Sequence, residues 1–175
     1  MAQTLTGTNT AIPGWMGPEC LTWLYETASR YQSVVEIGCW MGRSTYALLS
    51  GCTGKVWAVD HFLGSPSELD DAHAPAKAQD IYAAFLGNVG HFPNLEVLRM
   101  TSAEASYYFE DRAVEMVFLD ADHQYDAVVA DLRAWEPKCS KMLCGHDIDR
   151  DEIVAALETT GIRWNRGPGT LWHRI

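Results

Sequence analysis

A handful of side chains in this chain combine type and spacing in ways that could do chemistry. Glu36 and Gly38 end a short apolar run, Val34-Val-Glu-Ile-Gly38, and Gly42 follows four residues later, ahead of Arg43-Ser-Thr45. This order predicts a strand, a tight turn and a helix, with bare backbone and helix N–H groups presented to a ligand. Two more apolar runs end in acids, Lys55-Val-Trp-Ala-Val-Asp60 and Val114-Glu-Met-Val-Phe-Leu-Asp120, and Lys141 to Gly145 runs into His146-Asp147. Carboxylates accept hydroxyl and amine donors or ligate cations, and imidazoles exchange protons near neutrality. The glycine turn reads as the floor of a nucleoside-cofactor site. The dinucleotide fingerprint G-x-G-x-x-G needs its middle glycine for close approach of a pyrophosphate. That position here is Trp40. Glu36-Ile-Gly-Cys-Trp-Met-Gly42 therefore suits a cofactor without phosphates.

The elements that must hold these residues follow from the apolar periodicity. Residues 1–12 read as a mobile or loosely docked part of an N-terminal arm, 1–17, and Pro18 suits the first position of a helix carrying Leu21, Leu24, Tyr25 and Ala28 as its apolar stripe. Strands at 34–37, 55–60, 95–100, 114–120 and 141–145 alternate with helices at about 43–50, 77–89, 103–109 and from Tyr125 to the stop at Pro137. The stretch 61–76 is too long for a tight connection and reads as a possible lid. Asp149 to Glu152 resembles a capping box for a helix reaching Thr160. Ile162–Asn165 and Thr170–Ile175 flank Arg-Gly-Pro-Gly as an antiparallel hairpin. The alternation predicts an α/β fold in one domain, 1–175, with a doubly wound, mostly parallel sheet ending in that hairpin. Ligands of such sheets bind outside the carboxyl ends of the strands, which is where the acids and His146 fall.

Composition narrows the partners. The net charge is −10 with only 13 Lys and Arg, so a nucleic-acid partner that rewards phosphate neutralisation is disfavoured. No run is long enough to span a bilayer, and the first residues lack a basic region followed by an apolar core, so a cytoplasmic protein is expected. Five cysteines form no C-x-x-C pair and read as buried thiols in a reducing compartment.

The chain resembles the class I S-adenosylmethionine-dependent methyltransferases. The resemblance rests on Glu36-Ile-Gly-Cys-Trp-Met-Gly42, on Asp60 placed 24 residues after Glu36, and on the order of elements over nearly the whole chain. Phe118-Leu-Asp-Ala-Asp-His-Gln-Tyr125 and Cys144-Gly-His-Asp147 are similar to a small-molecule, O-methyltransferase-like subgroup with Asp-Gly-Asp-His-x-Tyr and Gly-His-Asp. It implies a Rossmann-like fold with S-adenosylmethionine as cofactor. The turn at Glu36, Gly38 and Gly42 and the Ser44 hydroxyl would hold the methionine part, and Asp60 the ribose diol, with His61 beside it. Ser102, Ala103 and Glu104 would line the adenine edge, and Asp120 would face the methionine end and the acceptor. For single residues the plainer alternatives stay open: Glu36 pairing at a strand edge, Ser44 capping a helix, Asp60 solvated in a loop.

The resemblance also implies a methyl acceptor that is a small molecule, modified at oxygen, between Trp15, Met16, Phe62 and the 61–76 loop. Those side chains suit equally a homodimer contact or plain core. His123, with Asp120, is the catalytic candidate as general base; His146 is a second base, or a cap partner of Asp149. Some relatives bind a divalent metal after strands four and five, which by position gives Asp120, His146 and Asp147. His146 replaces the usual carboxylate there and favours a transition metal over Mg²⁺. The competing reading is a non-catalytic S-adenosylmethionine-binding or partner module of the same fold.

Overall fold

The computed structural model describes residues 7–64 and 80–175. Their elements are α1 (Pro18–Ala28), β1 (Ser33–Ile37), α2 (Arg43–Gly51), β2 (Lys55–Val59), α3 (Ile81–Val89), β3 (Leu95–Leu98), α4 (Ser102–Ser106), β4 (Val114–Leu119), α5 (Tyr125–Trp135), β5 (Cys139–Gly145), α6 (Asp151–Thr160), β6 (Trp164–Arg166) and β7 (Trp172–Arg174). One sheet takes the order β3-β2-β1-β4-β5-β7-β6. β1 to β5 are parallel, while β7 runs antiparallel to both β5 and β6. The chain leaves β1 towards β2 and returns to the other side of β1 as β4. That reversal opens the crevice in which such sheets bind ligands.

The two-residue period of the strands divides the interior into two cores. Val34, Val56, Ala58, Met116, Phe118 and Cys144 face α1, α2 and α3. Val35, Ile37, Val59, Val117, Leu119 and Leu143 face α5 and α6. Burial on both faces is why these strands read as unbroken apolar runs rather than alternating ones. Glu36 shares the face of Val34, so its carboxylate enters the first core.

Several boundaries differ from expectation, each for a local reason. The helix expected at 103–109 stops at Ser106, and β5 starts at Cys139 because Val114 already pairs with it. Arg150, not Asp149, is the N-cap of α6 and makes no side-chain cap bond; the Arg150 N–H instead donates to the Asp147 carbonyl at 2.9 Å. Residues 7–17 of the arm are docked, with Ile12 and Met16 buried in the first core. Residues 1–6 and most of the expected lid, 65–76, lie outside the described residues. No helix among the described residues is long and apolar enough to cross a membrane.

Candidate active site

The sheet's hydrogen bonding continues one residue past the strands. Gly38 N–H donates to the Val59 carbonyl at 2.9 Å, Asp120 N–H to Ile37 at 2.8 Å, His146 N–H to Leu119 at 3.2 Å and Asp60 N–H to Leu98 at 3.3 Å. Asp60, Gly38, Asp120 and His146 thus stand in a row along the carboxyl edge. Over them lies a cavity of about 590 Å³, the size of a small-molecule site.

The first turn is built by close approach. Gly38 has φ +85°, and a Cβ there would lie 2.1 Å from the Asp120 carbonyl oxygen, so only glycine lets β1 and β4 meet while lining the cavity. Gly42 (φ +91°) begins α2 and faces Phe85 and Val89 of α3 rather than the cavity. Glu36 does not line the cavity either; it is fully buried beneath its floor. Neither carboxylate oxygen of Glu36, nor the Thr45 hydroxyl, has a hydrogen-bond partner among the described residues. Burial pushes the Glu36 carboxyl up to about 7; nearby Ser44 and Thr45 hydroxyls, too poorly placed for full hydrogen bonds, offset this in part.

Asp60 ties the turn together. Its Oδ2 accepts from the N–H groups of Cys39 (2.8 Å) and Trp40 (3.0 Å), and its Oδ1 from Phe62 (2.6 Å). Trp40 (φ +48°) and Phe62 (φ +60°) are both left-handed, a strained conformation for large side chains that these bonds hold in place. A carboxylate has about four acceptor positions, so Asp60 keeps one for a ligand, where the sequence suggested two ribose hydroxyls. His61 also lines the cavity, its Nδ1 accepting from Leu63 N–H at 3.0 Å.

At the β4 and β5 ends, two carboxylates and two imidazoles converge. His123 Nε2 lies 2.8 Å from Asp147 Oδ2 and 3.8 Å from Asp120 Oδ1. His146 Nδ1 lies 3.2 Å from Asp147 Oδ2 and 3.6 Å from Asp120 Oδ1, while its Nε2 is 2.6 Å from the Thr170 hydroxyl. Burial alone would lower the His146 pKa, but hydrogen bonds to Asp120 and Asp147 outweigh it and push it up to about 12. Burial likewise would raise Asp120 and Asp147; the histidines hold both below the usual carboxylate range. Both His146 nitrogens are engaged, Nδ1 between the two carboxylates and Nε2 by the Thr170 hydroxyl, so neither is left for an acceptor proton or for Asp149. Asp147 has φ +58°, a further left-handed residue at the site.

Ser102 and Ala103 line the cavity as expected, but Glu104 does not. Glu104 is spent in a capping box with Thr101, accepting from the Thr101 N–H at 3.0 Å and hydroxyl at 2.7 Å. Two cavity residues had no signal of their own in the sequence. Asp131 enters from α5. Arg43 clasps the N-terminal segment: its Nε donates to the Ile12 carbonyl (2.6 Å), Nη1 to Met16 (3.1 Å) and Nη2 to Thr10 (3.1 Å). That clasp sets Trp15 against Trp40, ring centroids 5.3 Å apart, so that Trp15, Met16 and Phe62 all reach the cavity wall.

A family model described as a methyltransferase domain matches residues 35–148, from β1 through the β5 turn. An uncharacterized protein of Sinorhizobium fredii is 29% identical over 124 residues, covering 67% of this chain and 13% of that protein, so the chain spans a small part of that relative's length. Among solved structures, a Corynebacterium glutamicum protein superposes with a TM-score of 0.66 at 13% identity, covering 93% of this chain and 82% of that one. The O-methyltransferase NovP gives 0.64 at 14% identity, covering 90% and 79%. The S-adenosylhomocysteine-bound methyltransferase of Podospora anserina gives 0.62 at 14% identity, covering 90% and 78%. At such identities the structures attest the shared Rossmann-like fold. The family match spans well over half of the sequence, and the chain belongs to the methyltransferase-domain family.

Proposed function

We propose that the strand-end cavity binds S-adenosylmethionine and passes its methyl group to an oxygen of a small-molecule acceptor. One observation carries the reading: a single cavity joins Asp60 and the glycine turn to the Asp120–His123–Asp147 cluster. Gly38 lines the cavity without a side chain and the Ser44 hydroxyl opens onto it nearby, which fits a cofactor whose methionine chain runs close along this turn. When bound, that cofactor supplies a methyl group on a cationic sulfur, open to in-line displacement. The first turn of α2 leaves N–H groups without helical partners, and with the Ser44 hydroxyl they suit a carboxylate. Asp60 accepts one ribose hydroxyl. Trp15, Met16, Trp40 and Phe62 wall the acceptor side.

His123 takes the proton of the acceptor hydroxyl as oxygen attacks the methyl carbon. Asp147, 2.8 Å away, orients the ring, and with Asp120 it stabilises the imidazolium that results. His123→Ala is expected to lower kcat by about 10²- to 10⁴-fold while S-adenosylhomocysteine affinity stays within about threefold. Methyl transfer from radiolabelled cofactor across a panel of phenols, alcohols and carboxylic acids reads this out. Unchanged turnover would remove His123 as base. Cofactor binding with no turnover on any acceptor would assign the non-catalytic module instead.

Asp120, His146 and Asp147 also offer three ligand atoms within 4.8 Å of one another. Bound there, a divalent ion would displace the His146 proton and lower an acceptor hydroxyl's pKa; the imidazole suits a transition metal. Activity that survives chelation and gains nothing from added Mn²⁺, Co²⁺ or Zn²⁺ would leave His146 in its protonated role.

A further inference from the structure

Thr170 lies in the short loop between β6 and β7 and does not line the cavity, yet it meets the site from behind. Its hydroxyl is 2.6 Å from His146 Nε2, and its carbonyl accepts from the Ile148 N–H at 3.0 Å, so the loop is bonded on both sides of Asp147. The loop itself has little freedom. Gly167 N–H donates to the Leu171 carbonyl at 2.8 Å and Leu171 N–H to the Pro168 carbonyl at 3.1 Å, while the Leu171 side chain is fully buried in the first core. The Cys20 thiol of α1 donates to the Pro168 carbonyl at 3.5 Å, and a Cβ on Gly169 (φ +57°) would lie 2.6 Å from its sulfur.

What the hydroxyl does follows from the ring it holds. His146 Nδ1 stands between Asp147 Oδ2 at 3.2 Å and Asp120 Oδ1 at 3.6 Å. Ionised carboxylates only accept, so Nδ1 carries the hydrogen on that side. A hydroxyl both donates and accepts, so Thr170 serves Nε2 whether or not that nitrogen is protonated. Turned over, the ring would present carbon to the hydroxyl and to both carboxylates. Asp120 and Asp147 each bring an oxygen within 4.8 Å of the other's, and without an N–H between them these like charges repel. The Asp147 Oδ2 beside His146 also stands 2.8 Å from His123 Nε2.

We propose that Thr170 is a positioning residue for methyl transfer. By fixing the His146 ring it fixes the spacing of Asp120 and Asp147, and through Asp147 the orientation of His123. The inference rests on the reading of His123 as general base.

Thr170→Val removes the hydroxyl with little change of shape, and Thr170→Ser keeps it. The His123 ring nitrogens, assigned by their loss in His123→Asn, report the link in long-range proton–nitrogen spectra near neutral pH with no acceptor present. The valine variant is expected to shift the ring signals of both His146 and His123, and the serine variant to return them to the wild-type positions. With an acceptor found in the panel above, valine should lower kcat by about 10- to 100-fold with both KM values within about threefold, and serine should recover most of the loss. His123 signals that do not move in Thr170→Val, or that Thr170→Ser does not restore, overturn the proposal, as does an unchanged kcat. If valine prevents folding, Thr170→Ala is read in the same way. Wild-type protein that turns over no acceptor would overturn the transfer reading instead, and the ring signals still decide on Thr170.

Discussion

Glu36 illustrates how a single buried group makes stability depend on pH. Its carboxyl is raised from 4.5 to about 7 by burial. The folded form therefore binds a proton that the unfolded chain releases above about pH 4.5. The stability tied to that proton is fully present below pH 4.5 and is lost as pH rises towards 7, by about 3 kcal/mol for a displacement of this size. Glu36→Gln should gain on the wild type between pH 5 and pH 8.5 by an amount of that order, read by urea unfolding without cofactor. Parallel pH profiles would show that the carboxyl is not buried in this way. At this scale the acids at strand ends were legible, because each closes an apolar run. What Glu36 does was not: the strand's two-residue period places it, yet nothing in the sequence shows that its oxygens lack donors. His146 was legible as a site residue, but not that Asp120, Asp147 and Thr170 take up both of its nitrogens. Asp131 was hidden for a similar reason. It interrupts no pattern on its helix and meets Ser102 at the cavity only once the chain is folded.

At the scale of elements, the acceptor wall depends on a helix start far from it in sequence. Arg43, the first residue of α2, spends three guanidinium donors on the carbonyls of Thr10, Ile12 and Met16. Arg43→Ala should therefore detach the segment rather than unfold the sheet. Hydrogen exchange of the amides at 10–16 is expected to speed up by about 30-fold, the equivalent of about 2 kcal/mol of charge-assisted hydrogen bonding, with β1 amides unchanged. Unaltered protection at 10–16 would mean that Ile12 and Met16 hold the segment by packing alone. The sequence showed this stretch as polar and loosely attached because side-chain composition says nothing about backbone carbonyls. Strands were easier to find, as runs buried on both faces have few other readings. Helix ends were harder. The Asp149 capping box has suitable residue types, but the chain turns one residue later, through Arg150. Thr101 and Glu104, by contrast, form the capping box that α4 needs.

At the scale of the molecule, the sheet order β3-β2-β1-β4-β5-β7-β6 brings residues from Gly38 to Asp147 onto one edge. Alternation of strands and helices made the parallel sheet and the closing hairpin legible, since parallel neighbours need crossovers and β6–β7 needs only a short turn. The exact lining of the cavity was less so, because it draws on α5 and on residues before α1 as well as on strand ends. The account stands on that edge being a methyl-donor site. Calorimetric titration with S-adenosylhomocysteine tests it most directly. The expected result is one saturable site per chain with a dissociation constant on the order of 1–100 μM, as for metabolite sites generally, at least about tenfold weaker in Asp60→Ala, and no heat with NADH, whose diphosphate meets Trp40. No saturable binding of S-adenosylhomocysteine by the folded wild-type protein, or equal binding of NADH, would contradict it.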